Sequence, residues 1–133
     1  MRILLDTHLF LWSIKDDRRL PKEARSKILH ATDVYVSSAS IWEICIKIQL
    51  GKLDIGKTDI SHVVEAIVQS GFCELPITAT HAAAVSSLAD IHRDPFDRIL
   101  IAQALCEPLT FLTVDTQLKA YSDLVYLCDT KTT

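Results

Sequence analysis

Glycine and proline are scarce in this chain: three and four residues among 133. That excludes collagen-like and linker-rich designs. No glycine-rich phosphate loop is present, neither GxxxxGK[ST] nor GxGxxG, so nucleotide binding through such a cradle is excluded. The four cysteines, Cys45, Cys73, Cys106 and Cys128, form no CxxC pair. Their apolar neighbours suggest small buried thiols rather than disulfides or a zinc site, and a reducing, cytoplasmic setting is expected. Long apolar runs are also missing. The opening MRILLDTHLFLW is interrupted by Asp6 and His8 and followed by Asp16 and Asp17, so neither export nor membrane spanning is expected.

What is present is a globular composition, 49% apolar and 23% charged, long enough for one domain, read as residues 1–133. The formal charge of −3 gives no direct support for binding a polyanion. Its distribution matters more. Setting aside Asp6, Glu43, Asp94, Asp97 and Asp115 leaves 12 acidic residues against 14 Lys and Arg, a surplus of two positive charges.

Hydrophobic periodicity alternates between strand and helix. Strands are predicted at residues 2–5, 34–37, 72–77, 109–114 and 124–127. Helices are predicted at 7–15, 21–31 (Pro21 in the first turn, Ile28 and Leu29 facing inward), from a Ser38 or Ser40 cap to Gly51, at 60–70 before Gly71, at 80–89, from Pro95 through FDRILIAQAL, and at 116–121. Such alternation argues for an α/β fold, a three-layer α/β/α sandwich around a central, mainly parallel sheet. Ligands of such sheets bind beyond the carboxyl ends of the strands. Asp6 and Asp115 end two of them.

Asp6, Glu43, Asp94, Asp97 and Asp115 all stand at element boundaries beside apolar runs. Each has a plain structural explanation. Asp6, Asp94 and Asp115 are suited to cap helices or begin turns, Glu43 follows Ser40 at capping-box spacing, and Asp97 complements a helix dipole. Gathered at one rim, however, they would repel one another unless a cation joined them. Oxygen donors of this kind suit Mg²⁺ or Mn²⁺. Such an ion can activate water for phosphodiester hydrolysis without a nucleophilic side chain. Lys47, one turn after Glu43, suits either an ion pair with it or a phosphate contact. Arg93 and Arg98 flank the acidic pair as candidate phosphate contacts. His8 and His92 lie near these motifs and read as surface or half-buried histidines. Trp12 and Trp42 read as core or dimer-interface residues ahead of base-stacking ones.

In order along the chain, LLDTHLFLW (4–12), SSASIWEICIKIQLGKL (37–53), LPIT (75–78), HRDPFDRILIAQAL (92–105) and LTVD (112–115) resemble the successive motifs of VapC-type PIN-domain toxins. The DPFDR…IAQA segment is the specific part. One departure is Leu20, where a capping serine is common before the proline. The resemblance implies a PIN-like fold and an Mg²⁺- or Mn²⁺-dependent endoribonuclease acting on tRNA or rRNA. It also implies a homodimer inhibited by a cognate VapB-like antitoxin within a larger complex. By position, Asp6, Glu43, Asp97 and Asp115 match the family's acidic set, and Asp94 a neighbouring acidic position. With that resemblance, Leu9, Leu11 and Trp12 are candidates for a groove that receives the partner.

Alternatives come from other classes. A PIN-like module that binds without cutting would be expected to lack some of these acids, and all are here. A phosphatase attacking through the first-strand aspartate would want a second aspartate two residues on, where this chain has His8.

Overall fold

The computed structural model describes residues 1–130; the last three positions of the domain read as 1–133 lie outside the described residues. Five short strands form one all-parallel sheet: β1 (Arg2–Leu5), β2 (Asp33–Ser37), β3 (Cys73–Leu75), β4 (Thr110–Thr113) and β5 (Val125–Leu127), in the order β3-β2-β1-β4-β5. The helices are α1 (Thr7–Ile14), α2 (Lys22–His30), α3 (Ser38–Gln49), α4 (Ile60–Gln69), α5 (Ala79–Ala84) and α6 (Pro95–Cys106), with 3₁₀ turns at Val85–Ser87 and Thr116–Tyr121. None is long and apolar enough to cross a membrane.

The pleat of the sheet divides the core in two. Ile3 and Leu5 of β1 point to one face with Val34, Val36 and Leu112, against Leu9 and Phe10 of α1, Ala24 of α2, Ile44 of α3, and Val63 and Ile67 of α4. Leu4 points the other way with Phe111 and Val125, against Leu100, Ile101 and Ala104 of α6 and Leu118. The period-2 alternation of strand side chains thus builds the α/β/α sandwich. Because residues 3–5 of β1 are buried on both faces, they form a continuous apolar run after the exposed Arg2.

Local signals explain most boundaries. Gly51 and Gly71 take left-handed φ values of 71° and 77° after α3 and α4. There the next amide folds back, Lys52 N–H to Lys47 carbonyl and Phe72 N–H to Ile67 carbonyl. Four details differ from the sequence reading. The cap of α3 is Ser37, whose hydroxyl accepts from Ala39 N–H, because Ser40 is turned into the core. Pro21 occupies the N-cap of α2 and supplies no side-chain bond. Pro76 follows the end of β3 at Leu75, so that strand is shorter than predicted. The 80–89 helix is α5 and a 3₁₀ turn, ending at Ser87.

Burial departs from expectation at several side chains. Leu29 is 77% and Trp42 61% exposed, so neither serves the core. Leu9 and Leu11 are buried under α1 and cannot line a partner groove. Cys73 and Cys106 are exposed and Cys45 is half-buried; only Cys128 is buried, its thiol pushed up to about 12 by that burial. Residue type sets average burial, but which helix face meets the sheet is decided by packing.

Candidate active site

Chain direction across the sheet reverses between β3 and β4, which makes the β1–β4 boundary a switch point. Beyond β1 the chain enters α1 on one face; beyond β4 it enters the 3₁₀ helix whose Leu118 packs on the other. The diverging backbones leave a crevice at their carboxyl ends. A cleft of about 370 Å³ lies there, lined by Asp6, Glu43, Asp94, Asp97 and Asp115, together with His8, Trp12, Lys47, His92 and Val114. The five acids picked out from the sequence therefore share one cleft.

Each is placed by its element. Asp6 is pinned by its N–H to the Leu112 carbonyl at 3.0 Å, which continues the β1–β4 pairing one residue further. Its Oδ1 accepts from Thr7 N–H at 2.7 Å and caps α1, while Oδ2 accepts from the Thr113 hydroxyl at 2.6 Å. That hydroxyl in turn accepts from Asp115 N–H at 3.0 Å. Thr113 thus links the two strand-end acids. Asp115 caps the 3₁₀ helix through Gln117 N–H.

Glu43 projects from the second turn of α3 and is 3% exposed. Its Oε1 accepts from the Thr7 hydroxyl at 2.7 Å, and its Oε2 from Lys47 Nζ at 2.5 Å. The Ser40 hydroxyl lies 2.9 Å from that of Thr7. The Lys47–Glu43 ion pair named as one of two readings is therefore formed. Asp94 caps α6, its Oδ1 accepting from Phe96 and Asp97 N–H with Pro95 at the first helical position. Asp97, in the first turn, has Oδ2 3.0 Å from His92 Nε2. The plain capping roles of Asp6, Asp94 and Asp115 and the shared cleft are both real, since a capping carboxylate keeps lone pairs for a second partner, whereas the Ser40–Glu43 capping box does not form because Ser37 caps α3.

The electrostatics follow from the packing. Among the described residues, Lys47 is the only lysine or arginine lining the cleft. Burial pushes the Asp97 carboxyl up to about 8, reinforced by the like charges of Asp6, Asp94, Glu43 and Asp115. Burial also raises Asp6, against the hydrogen bonds from Thr113 and Thr7 and the nearby His8, with Glu43 adding to the rise. Lys47 is held above its ordinary value: burial opposes this, but the bond to Glu43 and the charges of Glu43, Asp94 and Asp97 prevail. A site that forces a carboxyl to hold its proton near neutrality is short of positive charge. Hard oxygen donors lacking a counter-charge fit Mg²⁺ or Mn²⁺.

Other sequence-derived assignments change. Arg98 was a candidate phosphate contact, but its guanidinium donates to the carbonyls of Ala89, His92 and Val85 and to the Tyr121 hydroxyl. It straps the loop before α6 instead. Arg93 is exposed and outside the cleft lining. Trp42 stands exposed, its ring edge-to-face with Phe96 at 5.2 Å. Thr7, Ser40, Thr113 and His92 make contacts at the site that the sequence does not assign to them. The signal was present for the first three, as a hydroxyl one to three residues before or after an acid in DT, SIWE and TVD.

An all-parallel doubly wound sheet with an acidic crevice at its switch point defines the class of domain. The sequence matches the PIN domain family over residues 3–124. The chain belongs to the PIN domain family, whose members are generally nucleases and usually employ divalent metals. Two solved structures share the fold. VapBC2 from Rickettsia felis, in a crystal structure bound to a DNA fragment from their promoter, is similar with a TM-score of 0.67 and 14% identity, over 96% of this chain and 97% of that one. FitAcB from Neisseria gonorrhoeae is similar with a TM-score of 0.59 and 22% identity, over 87% and 89%. No curated protein matches this chain in sequence.

Proposed function

We propose that this protein is an endoribonuclease dependent on Mg²⁺ or Mn²⁺, and the toxin of a type II toxin–antitoxin pair. The observation that carries the nuclease reading is the convergence of Asp6, Glu43, Asp94, Asp97 and Asp115 on one cleft, with Asp97 pushed up to about 8. Asp6, Asp97 and Asp115 would hold the ion, directly or through water, with Asp94 beside them. The bound ion would offset their charge, lower the pKa of a water molecule, and stabilise charge developing on phosphorus.

The chain's own residues do the rest. Thr7 and Thr113 fix the carboxylates of Glu43 and Asp6, so little reorganisation is needed when substrate arrives. Glu43, oriented by Thr7 and Lys47, takes the proton of the attacking water or contributes to a second ion site. Water adds to phosphorus as the bond to the 3′ oxygen breaks, leaving a 5′-phosphate and a 3′-hydroxyl. Lys47 and the exposed Arg93 meet the backbone phosphates.

The toxin role and a VapB-like antitoxin partner draw support from the VapBC2 and FitAcB likenesses in fold and from the motif resemblance, while a homodimer and a cytoplasmic setting rest on the motif resemblance alone. The test is incubation with total RNA and with plasmid DNA, with and without EDTA, beside Asp6→Asn and Asp97→Asn. RNA cleavage that needs added Mg²⁺ or Mn²⁺ and is lost in both folded variants is expected. Wild-type rates in either variant would refute the assignment.

A further inference from the structure

His92 has more constraint than a surface histidine needs. The Tyr121 hydroxyl accepts from His92 N–H at 2.8 Å and donates to the His92 carbonyl at 3.0 Å. Arg98 Nη1 reaches the same carbonyl at 3.3 Å and the Ala89 carbonyl at 2.9 Å, and Nη2 reaches that of Val85 at 3.3 Å. Two side chains from other elements therefore lock the backbone of one loop residue. The result is an imidazole aimed into the acidic cleft, 25% exposed, with Nε2 3.0 Å from Asp97 Oδ2. One donor atom each from His92, Asp94 and Asp97 lies within 4.8 Å of the other two. Adjacent ligands of an octahedral ion, each at roughly 2.1 Å, are themselves about 3 Å apart. The His92–Asp97 contact has that spacing.

We propose that His92 is a nitrogen ligand of the divalent ion in this cleft, acting with Asp94 and Asp97, and that it biases the site toward Mn²⁺ over Mg²⁺. The proposal rests on the metal-dependent reading above. Mg²⁺ keeps oxygen donors and gives up its waters reluctantly, whereas imidazole suits transition-metal ions. Asp94 Oδ1 is fixed by two α6 amides and His92 by the Tyr121–Arg98 clamp, so a nitrogen and an oxygen donor are preset in one loop.

The experiment uses the full chain loaded with Mn²⁺. Pulsed electron paramagnetic resonance reads nitrogen coupled to the ion, and titrations give the Mn²⁺ and Mg²⁺ affinities. Wild type should show nitrogen coupling. His8→Gln, which removes the other imidazole of the cleft, should keep it. His92→Gln should lose it and weaken Mn²⁺ binding on the order of tenfold, with Mg²⁺ affinity little changed. Tyr121→Phe retains the imidazole but leaves its backbone held by Arg98 alone. It should weaken Mn²⁺ binding by a smaller factor, and it serves should His92→Gln fail to fold. Bound Mn²⁺ without nitrogen coupling in wild type, coupling that survives in His92→Gln, equal losses for the two ions, or Mn²⁺ affinity unchanged in Tyr121→Phe would overturn the proposal. Those results leave the nuclease reading standing, whereas absence of any divalent binding to wild type would remove both.

Discussion

Two polar clusters sit at the carboxyl end of the sheet, and they are built on opposite rules. Beyond β2 and β3, Ser37 donates to Gln103 Oε1, and Gln103 Nε2 donates to the carbonyls of Leu75 and Pro76. His81 Nδ1 accepts from Thr78 N–H, which leaves the ring proton on Nε2, facing Glu107 Oε2 at 2.5 Å. Every donor there meets an acceptor. Beyond β1 and β4, five carboxylates meet a single lysine. The first arrangement is what stability asks of buried polar groups. The second leaves an electrostatic deficit, tolerated at sites that bind something.

The comparison can be broken most severely at Asp97. Asp97→Asn should cut RNA cleavage by about a thousandfold, since several kcal/mol of transition-state charge stabilisation is at stake. Without divalent ions the same variant should melt higher than wild type near pH 9, as measured by circular dichroism. A loss of both activity and apo stability would mean that Asp97 belongs with the structural cluster.

Next comes pH. Folding raises the Asp97 carboxyl from its ordinary value of 3.8 to about 8. A raised acid contributes stability while protonated and loses it as pH climbs through the folded value, so this contribution to apo stability should decline between about pH 4 and pH 8. Mg²⁺ or Mn²⁺ should then raise the melting point more at pH 8 than at pH 5. At a hundredfold excess over Kd the gain is about 2.7 kcal/mol. A metal effect that is the same at both pH values would contradict a shared ion among these acids.

In the other cluster, Gln103→Leu keeps the volume but strands the Ser37 hydroxyl and two carbonyls. It should cost about 1–3 kcal/mol in urea denaturation, with cleavage per folded molecule unchanged. The smallest effect is expected at Arg93→Ala. It lies on the exposed rim, so KM should rise a few-fold and its salt dependence flatten, with stability within about 0.5 kcal/mol of wild type.

Much of this was legible beforehand because the signals are local. Strand-helix alternation, Gly51, Gly71 and Pro95 marked most elements, and the burial of β1 on both faces follows from the unbroken apolar run at residues 3–5. The acids were legible as well, since capping chemistry and strand ends both place them at boundaries. Leu29 does not face inward and Trp42 does not join the core, because an apolar residue on a helix does not declare which side of its helix the sheet will cover. His92 reads from the sequence only as a surface or half-buried histidine because its constraint comes from Arg98 and from Tyr121, 29 residues away.

The amino-acid order alone therefore determined the elements, the layer architecture and the list of acidic residues, because each depends on neighbours within a few positions. Only the tertiary structure decided that β4 lies beside β1 and not beyond β3, and this adjacency brings Asp6 and Asp115 together through Thr113. Strand order is a long-range choice made by packing, and like charges become a site only when that choice sets them face to face.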